Sequence, residues 1–131
     1  MQIHQSAEDY LETILMLNQR MGRVRSIDVV NELGYTKASV SIAMKKLREN
    51  GYIAVDGEGN LTLLEPGREI AERIYSRHRL LTHFFVQLGV DEEVAAEDAC
   101  KAEHILSEQT LTKIREYALL HDAEDSVQRS E

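Results

Sequence analysis

Apolar and polar positions recur along this chain with two different periods, and the switches between them divide it into elements. Tyr10, Leu11, Ile14, Leu15 and Leu17 repeat at helical spacing and predict a first helix through about Gln19. Ser6 stands as its N-cap and Asp9 at its third position, where a negative charge suits the helix dipole. Met21-Gly22-Arg23 reads as a turn. Ser26 is expected to cap a short helix over Ile27–Leu33, Gly34-Tyr35 to end it, and Thr36 to cap a third helix from Lys37 to Asn50. Two short helices around a Gly-containing turn form a helix-turn-helix. In the third helix Val40, Ala43, Met44 and Leu47 face inward, leaving Lys37, Ser41, Lys45 and Arg48 outward. After Gly51 the period drops to two. Tyr52–Val55 and Leu61–Leu64 read as strands around Asp56-Gly57-Glu58-Gly59-Asn60, a β-hairpin that completes a winged helix.

The helical period then returns. Pro66 opens a long helix that Gly89 closes, with a stripe of Ile70, Ile74, Leu81, Phe85 and Leu88 interrupted only by His78, which therefore points inward. A further helix is predicted from Asp91 to Ser107, with Val94, Ala95, Ala99, Ala102, Ile105 and Leu106 available for packing. A last one, from about Gln109 to Leu120, presents Leu111, Ile114, Tyr117 and Ala118. Together with Leu80, Phe84 and Phe85 these surfaces exceed what a small winged helix must cover, so the excess is assigned to a homodimer interface. His121 to Glu131 is polar, acidic and unpatterned, and reads as a disordered tail; His4, His83 and His121 read as solvated.

Composition narrows the class. The chain has 131 residues, 43% of them hydrophobic, enough for one globular domain or two small ones sharing helices. No apolar run approaches the roughly 18 residues of a membrane span. Met1–Gln5 has neither the basic nor the apolar region of a signal peptide, so a cytoplasmic protein is expected. A single cysteine cannot form an internal disulfide, which fits a reducing compartment. The net charge of −8 argues against nucleic acid until its distribution is read: residues 1–80 carry 11 Lys/Arg against 11 Asp/Glu, and residues 81–131 carry 4 against 12. Between Arg20 and Asn50 seven basic residues face three acidic ones, so this segment can meet a phosphate backbone. Lys37, Lys45, Lys46 and Arg48 are the candidates for DNA contact at phosphates, and Thr36, Ala38 and Ser39, at the start of the third helix, those for base edges; Ser41 and Arg25 are further DNA-binding candidates. The wing tip carries Asp56 and Glu58, so only backbone or groove-edge contact is expected there. Its two glycines are not followed by the Lys-Ser/Thr of a phosphate loop.

Cys100, Glu103 and His104 fall in one sector of the predicted Asp91–Ser107 helix, bringing a thiol, a carboxylate and an imidazole to one point. Borderline divalent metals accept all three ligand types. The alternative from these residues alone is a buried cysteine beside a solvated Glu–His pair. Asp9 and Glu12 share one flank of the first helix, as ligands or as a capping and a solvated residue. His78 is either a hydrogen-bonded core histidine or a further ligand. No nucleophile constellation or pocket-forming Gly-rich loop accompanies them, so neither an enzyme nor a small-molecule substrate is expected.

Four stretches carry a resemblance: Glu8-Asp9-Tyr10-Leu11-Glu12, the helix-turn-helix from Ser26 to Gly51, Arg77-His78-Arg79-Leu80-Leu81, and Cys100-Lys101-Ala102-Glu103-His104. In this order and at these separations, over about Ser6 to Leu120, the chain resembles the diphtheria-toxin-repressor family of metal-dependent transcriptional repressors, and most of all its short manganese-responsive branch. The resemblance implies a mainly α fold: a winged helix-turn-helix DNA-binding domain with a two-stranded wing over residues 1–65, an all-helical metal-binding and dimerisation domain over 66–120, and the tail over 121–131. It implies that Asp9, Cys100, Glu103 and His104 surround one ion, that Glu12 and His78 lean toward a second, and that Glu103 can bridge. One or two divalent ions per chain, Mn2+ or Fe2+ with Co2+ or Zn2+ possible in vitro, would fix a homodimer on a palindromic double-stranded operator and repress metal-uptake genes. The chain departs from both branches. The manganese branch usually has a carboxylate where Cys100 stands, and the iron branch usually has Met where Asp9 stands. The iron branch's ancillary site has a carboxylate and a histidine where this chain has Thr82 and Ala96. A thiolate favours softer or borderline metals. The competing expectation is a winged-helix regulator switched by oxidation of Cys100, with metal incidental.

Overall fold

The computed structural model describes residues 5–129, with side chains from 5 to 123. Its elements run α1 (Gln5–Met21), α2 (Ser26–Leu33), α3 (Lys37–Glu49), β1 (Ile53–Val55), β2 (Leu61–Leu63), α4 (Glu65–Gln87), α5 (Glu92–Ala102) and α6 (Glu108–Arg129). They group into two compact units, residues 1–74 and 75–131, and the division falls inside α4.

In the first unit, Leu11, Ile14, Leu15 and Leu17 of α1 are buried together with Val29 of α2 and Val40, Met44 and Leu47 of α3; all but Val29 are residues whose spacing predicts an inward face. Gly34 takes the left-handed conformation after α2 and its N–H returns to the Val30 carbonyl at 2.9 Å, so the chain turns sharply into α3. Thr36 caps α3 as expected: its side chain accepts from the Ser39 N–H at 3.1 Å. Two other caps differ from expectation. Ser6 lies inside α1, which already begins at Gln5, and Ser26 is the first residue of α2. The cap position of α2 is Arg25, whose N–H donates to Asp28 Oδ2 at 2.9 Å, so a carboxylate in the first turn reaches back to the cap residue, the reverse of the bond expected from a serine hydroxyl.

The wing is antiparallel, with Ile53 opposite Leu63, Ala54 opposite Thr62 and Val55 opposite Leu61. Ile53, Leu61 and Leu63 are buried while Ala54 and Thr62 are exposed, the alternation of a one-sided hairpin. At its tip Asp56 Oδ1 accepts the N–H groups of Glu58 and Asn60, each at 2.9 Å, and closes the turn on itself. Gly67 shows why α4 can begin where it does: a Cβ there would overlap the Tyr52 carbonyl, so only glycine lets the first turn of α4 lie against the hairpin base.

The second unit is built on Leu81, Ala99 and Leu111, with Leu80, Phe85, Ala102, Leu106 and Ile114 packed against them. Two boundaries correct the sequence expectation. The helix expected to run to Ser107 stops at Ala102. Glu103 still bonds back to the Ala99 carbonyl, but Ile105 bonds to Ala102, a tighter turn that neither Gly nor Pro announces. The helix expected to end at Leu120 continues to Arg129, so the expected disordered tail is helical there. Near the expected end the helix is held from α4 and from within: Asp122 accepts from His83 Nε2 at 3.0 Å and Gln87 Nε2 at 2.9 Å, and His121 contacts the Tyr117 hydroxyl one turn back at 2.8 Å. His83 and His121 are therefore partnered, not merely solvated; His4 lies outside the described residues.

Candidate metal centre and nucleic-acid face

The residues expected as metal ligands divide between the two units. In the first, Asp9 and Glu12 lie one turn apart on α1, Asp9 half-buried and Glu12 only 6% exposed. An acidic side chain this deeply covered is unusual, and the neighbouring Glu8 has a conventional role, an ion pair with Arg73 at 3.5 Å. Burial pushes the Tyr10 phenol up, with Tyr35 and the negative charge of Asp9 adding to the effect.

In the second unit, α4 supplies His78 and the turn after α5 supplies Glu103 and His104. The Glu103 side chain is fully buried. Its Oε2 lies 3.1 Å from His78 Nδ1, and its Oε1 lies 3.4 Å from His104 Nε2, on a side chain that is itself 2% exposed. A carboxylate thus sits between two imidazoles. The Cys100 thiol, exposed one helical turn earlier, lies within 4.8 Å of a Glu103 carboxylate oxygen. Glu103 Oε1 has no hydrogen-bond partner among the described residues. A buried carboxylate oxygen with the His104 imidazole at 3.4 Å but no hydrogen bond is costly, and a bound cation would satisfy it. Imidazole, carboxylate and thiol are all donor types that a borderline divalent ion accepts, and the Glu103 carboxylate is the group they share. Glu103 and His104 reach this point from the turn after α5, not from the helix face that their spacing predicts.

On the first unit, Thr36, Lys37, Ala38, Ser39, Ser41, Lys45, Lys46 and Arg48 are all exposed along α3 and its cap. The Thr36 hydroxyl donates to Ser39 Oγ at 2.9 Å, so these two candidates for base contact are held as a pair. Ser41, Lys45 and Arg48 line a cavity of about 260 Å³ with Ser26, Met44 and Val55. Ser26, read as a cap, thus also lines this basic pocket. The structure adds Ile42, 58% exposed among these polar side chains, which the inward-face reading of α3 passed over. Arg25 is exposed but engaged: its Nε donates to the Glu58 carbonyl at 3.0 Å and its Nη2 contacts the same oxygen. Its guanidinium ties the wing tip to the start of α2. The tip is acidic as read, and hydrogen bonds from Asn60 hold the Asp56 carboxyl below its ordinary range.

Comparisons with known proteins agree with both halves. Residues 2–61 match the N-terminal DNA-binding domain of iron-dependent repressors, and residues 64–121 match the metal-binding and dimerisation domain of the same family. An uncharacterised HTH-type transcriptional regulator of Methanocaldococcus jannaschii is 35% identical over 113 residues, covering 85% of this chain and 90% of that protein. The HTH-type transcriptional regulator MntR of Bacillus subtilis strain 168 is 32% identical over 121 residues, covering 92% and 85%. Among solved structures, a manganese-dependent transcriptional repressor in complex with manganese superposes with a TM-score of 0.78 at 28% identity, covering 86% of this chain and 52% of that one. The chain thus spans about half the length of that repressor. No helix among the described residues is long and apolar enough to cross a membrane. By its two matched domains and its relatives, the chain belongs to the iron-dependent repressor family, with a winged helix-turn-helix DNA-binding domain followed by a helical metal-binding and dimerisation domain.

Proposed function

We propose that this chain is a cytoplasmic, metal-dependent repressor whose homodimer binds a palindromic operator when a divalent cation is plentiful, and so turns down metal-uptake genes. The observation that carries this reading is the buried Glu103 carboxylate between His78 and His104, with one oxygen left without a hydrogen bond, in the domain matched as metal-binding. Asp9, Cys100, Glu103 and His104 would hold one ion, and Glu12 and His78 a second bridged by Glu103. Mn2+ or Fe2+ is the expected effector, with the Cys100 thiol widening acceptance toward Co2+ and Zn2+.

A bound divalent cation supplies the positive charge that lets these carboxylates share one site. Without it, Asp9, Glu12 and Glu103 repel one another, and α1 gains nothing by approaching the second unit. Held by ligands on α1 and on the second unit, such an ion would tie α1 down and so hold the winged helix at one spacing from its copy in the dimer. A 1,000-fold excess of metal over Kd is worth about 4 kcal/mol, enough to shift such an ensemble. The exposed Val86, Leu88, Val94, Ile105, Leu119 and Leu120 of the second unit supply apolar surface for that dimer. Two-fold symmetry then sets the two α3 helices about 34 Å apart, or a multiple of it, in successive major grooves. There Lys37, Lys45, Lys46 and Arg48 meet phosphates, and Thr36, Ala38 and Ser39 approach bases.

Fluorescence anisotropy on DNA from upstream of the chain's own gene and of the nearest metal transporter tests the reading, first in chelator and then with each metal. Binding should appear only with metal and vanish in Glu103→Ala. Equal binding with and without chelator would end it. The exposed thiol of Cys100 favours a second reading, a redox switch. In that case Cys100→Ser locks one DNA-binding state and chelators do nothing.

A further inference from the structure

We propose that Arg77 is a positioning residue that pre-forms the ligand-bearing turn before any metal arrives. This role rests on reading His78, Cys100, Glu103 and His104 as ligands. Arg77 immediately precedes His78 on α4, yet its side chain is only 16% exposed, low for an arginine. Its Nη1 donates to the Glu103 carbonyl at 3.2 Å, and its Nη2 pairs with the Glu108 carboxylate. Glu103 is the cap residue where α5 stops, and Glu108 is the first residue of α6. One guanidinium therefore ties α4 to both ends of the 103–108 segment.

The consecutive residues Arg77 and His78 grip Glu103 at its two ends, one at the backbone carbonyl and the other at the side-chain carboxylate. The carbonyl is among those a helix end leaves without an intrahelical partner, and Arg77 satisfies it. Fixing that carbonyl fixes the point from which the Glu103 carboxylate extends, and places His104 beside it. A planar fork can serve two acceptors in different directions at once; a lysine ammonium serves them far less well.

Charge alone predicts the opposite of this arrangement. A fixed cation beside a cation site opposes metal binding, so an arginine kept there must contribute by geometry. Its pair with Glu108 cannot be the reason, because that carboxylate is 76% exposed and such pairs contribute little. Electrostatics and positioning therefore give opposite signs when the arginine is removed.

The experiment is titration of the metal-free, full-length protein with Mn2+ alone, followed calorimetrically, for the wild type, Arg77→Ala, Arg77→Lys, Glu108→Ala and the Arg77→Ala/Glu108→Ala pair. Positioning predicts that Arg77→Ala weakens Mn2+ binding about tenfold although it removes a positive charge, the scale typical of partners that orient metal ligands. Arg77→Lys should recover only part of the loss. Glu108→Ala should lose less, and the double variant no more than Arg77→Ala alone. Amide hydrogen exchange in the metal-free state should quicken across residues 103–107 and nowhere else, and DNA affinity at saturating Mn2+ should be unchanged. Unchanged or tighter Mn2+ binding by Arg77→Ala, or exchange that quickens everywhere or not at all, would overturn the role. If Arg77→Ala does not fold, Arg77→Lys and Glu108→Ala decide the matter by the same two readouts. A wild type that takes up no Mn2+ would remove the metal-sensing reading itself, and this role with it.

Discussion

The recognition helix α3 and the turn at Glu103–His104 both carry candidate chemistry, but they are built in opposite ways. On α3 the candidate residues point into solvent while Val40, Met44 and Leu47 hold the helix from beneath, so contact and scaffold are different residues. At the turn, Glu103 and His104 are themselves buried, and the geometry depends on α4 as much as on the local chain. Surface chemistry of the first kind can change without touching stability. Buried chemistry of the second kind carries a folding cost in the very groups that give it a role.

The sharpest break in that comparison is Glu103→Gln. It removes a buried charge while keeping the volume, so metal affinity should fall at least about 100-fold while the melting temperature of the metal-free protein holds or rises. Calorimetry with Mn2+ and thermal unfolding in chelator read the two effects, and a large loss of metal-free stability would count against the contrast. Lys45→Ala is the counterpart on α3. DNA affinity should fall by about tenfold at low salt, the slope of log affinity against log salt should shrink by about one, and the melting temperature should stay put. Thr36→Ala blurs the division, because Thr36 is both cap and candidate contact; about 1 kcal/mol of stability should go with the hydrogen bond to Ser39. Arg25→Ala should weaken DNA binding a few-fold with an unchanged salt slope, since its guanidinium serves the wing. Smallest is the acid response of the wing tip. The folded Asp56 carboxyl is held below its ordinary range, so its hydrogen bonds support the turn above the unfolded value and are lost as pH falls through the folded one. The Glu58 and Asn60 amide signals should shift there and nowhere near neutrality.

The same contrast decides what could be read in advance. Gly34, Thr36 and the Val40–Leu47 spacing are local grammar, and α3 with its hairpin followed from them. The end of α5 did not, because Glu103 keeps helical dihedrals and the change lies only in which carbonyl Ile105 finds. The extension of α6 to Arg129 was illegible for the same reason: a polar run signals a tail until Asp122 is seen to meet His83 and Gln87 from α4. Spacing placed Cys100, Glu103 and His104 together and left His78 open; the structure sets the Glu103 carboxylate beside both imidazoles. Charge named Arg25 as a DNA-binding candidate, and a sequence does not show the Glu58 carbonyl that its guanidinium meets.

The wing tip carries one more implication. Arg25 holds Glu58 by its carbonyl, and Asp56 holds it by its amide, so the Glu58 side chain, 77% exposed and at most 4.0 Å from a loose partner in Arg23, is not part of the fastening. Position 58 is thus an adjustable dial on a fixed mount. Glu58→Lys would reverse the charge at this point of the tip without reshaping it, so the tip's electrostatics can vary independently of its fold.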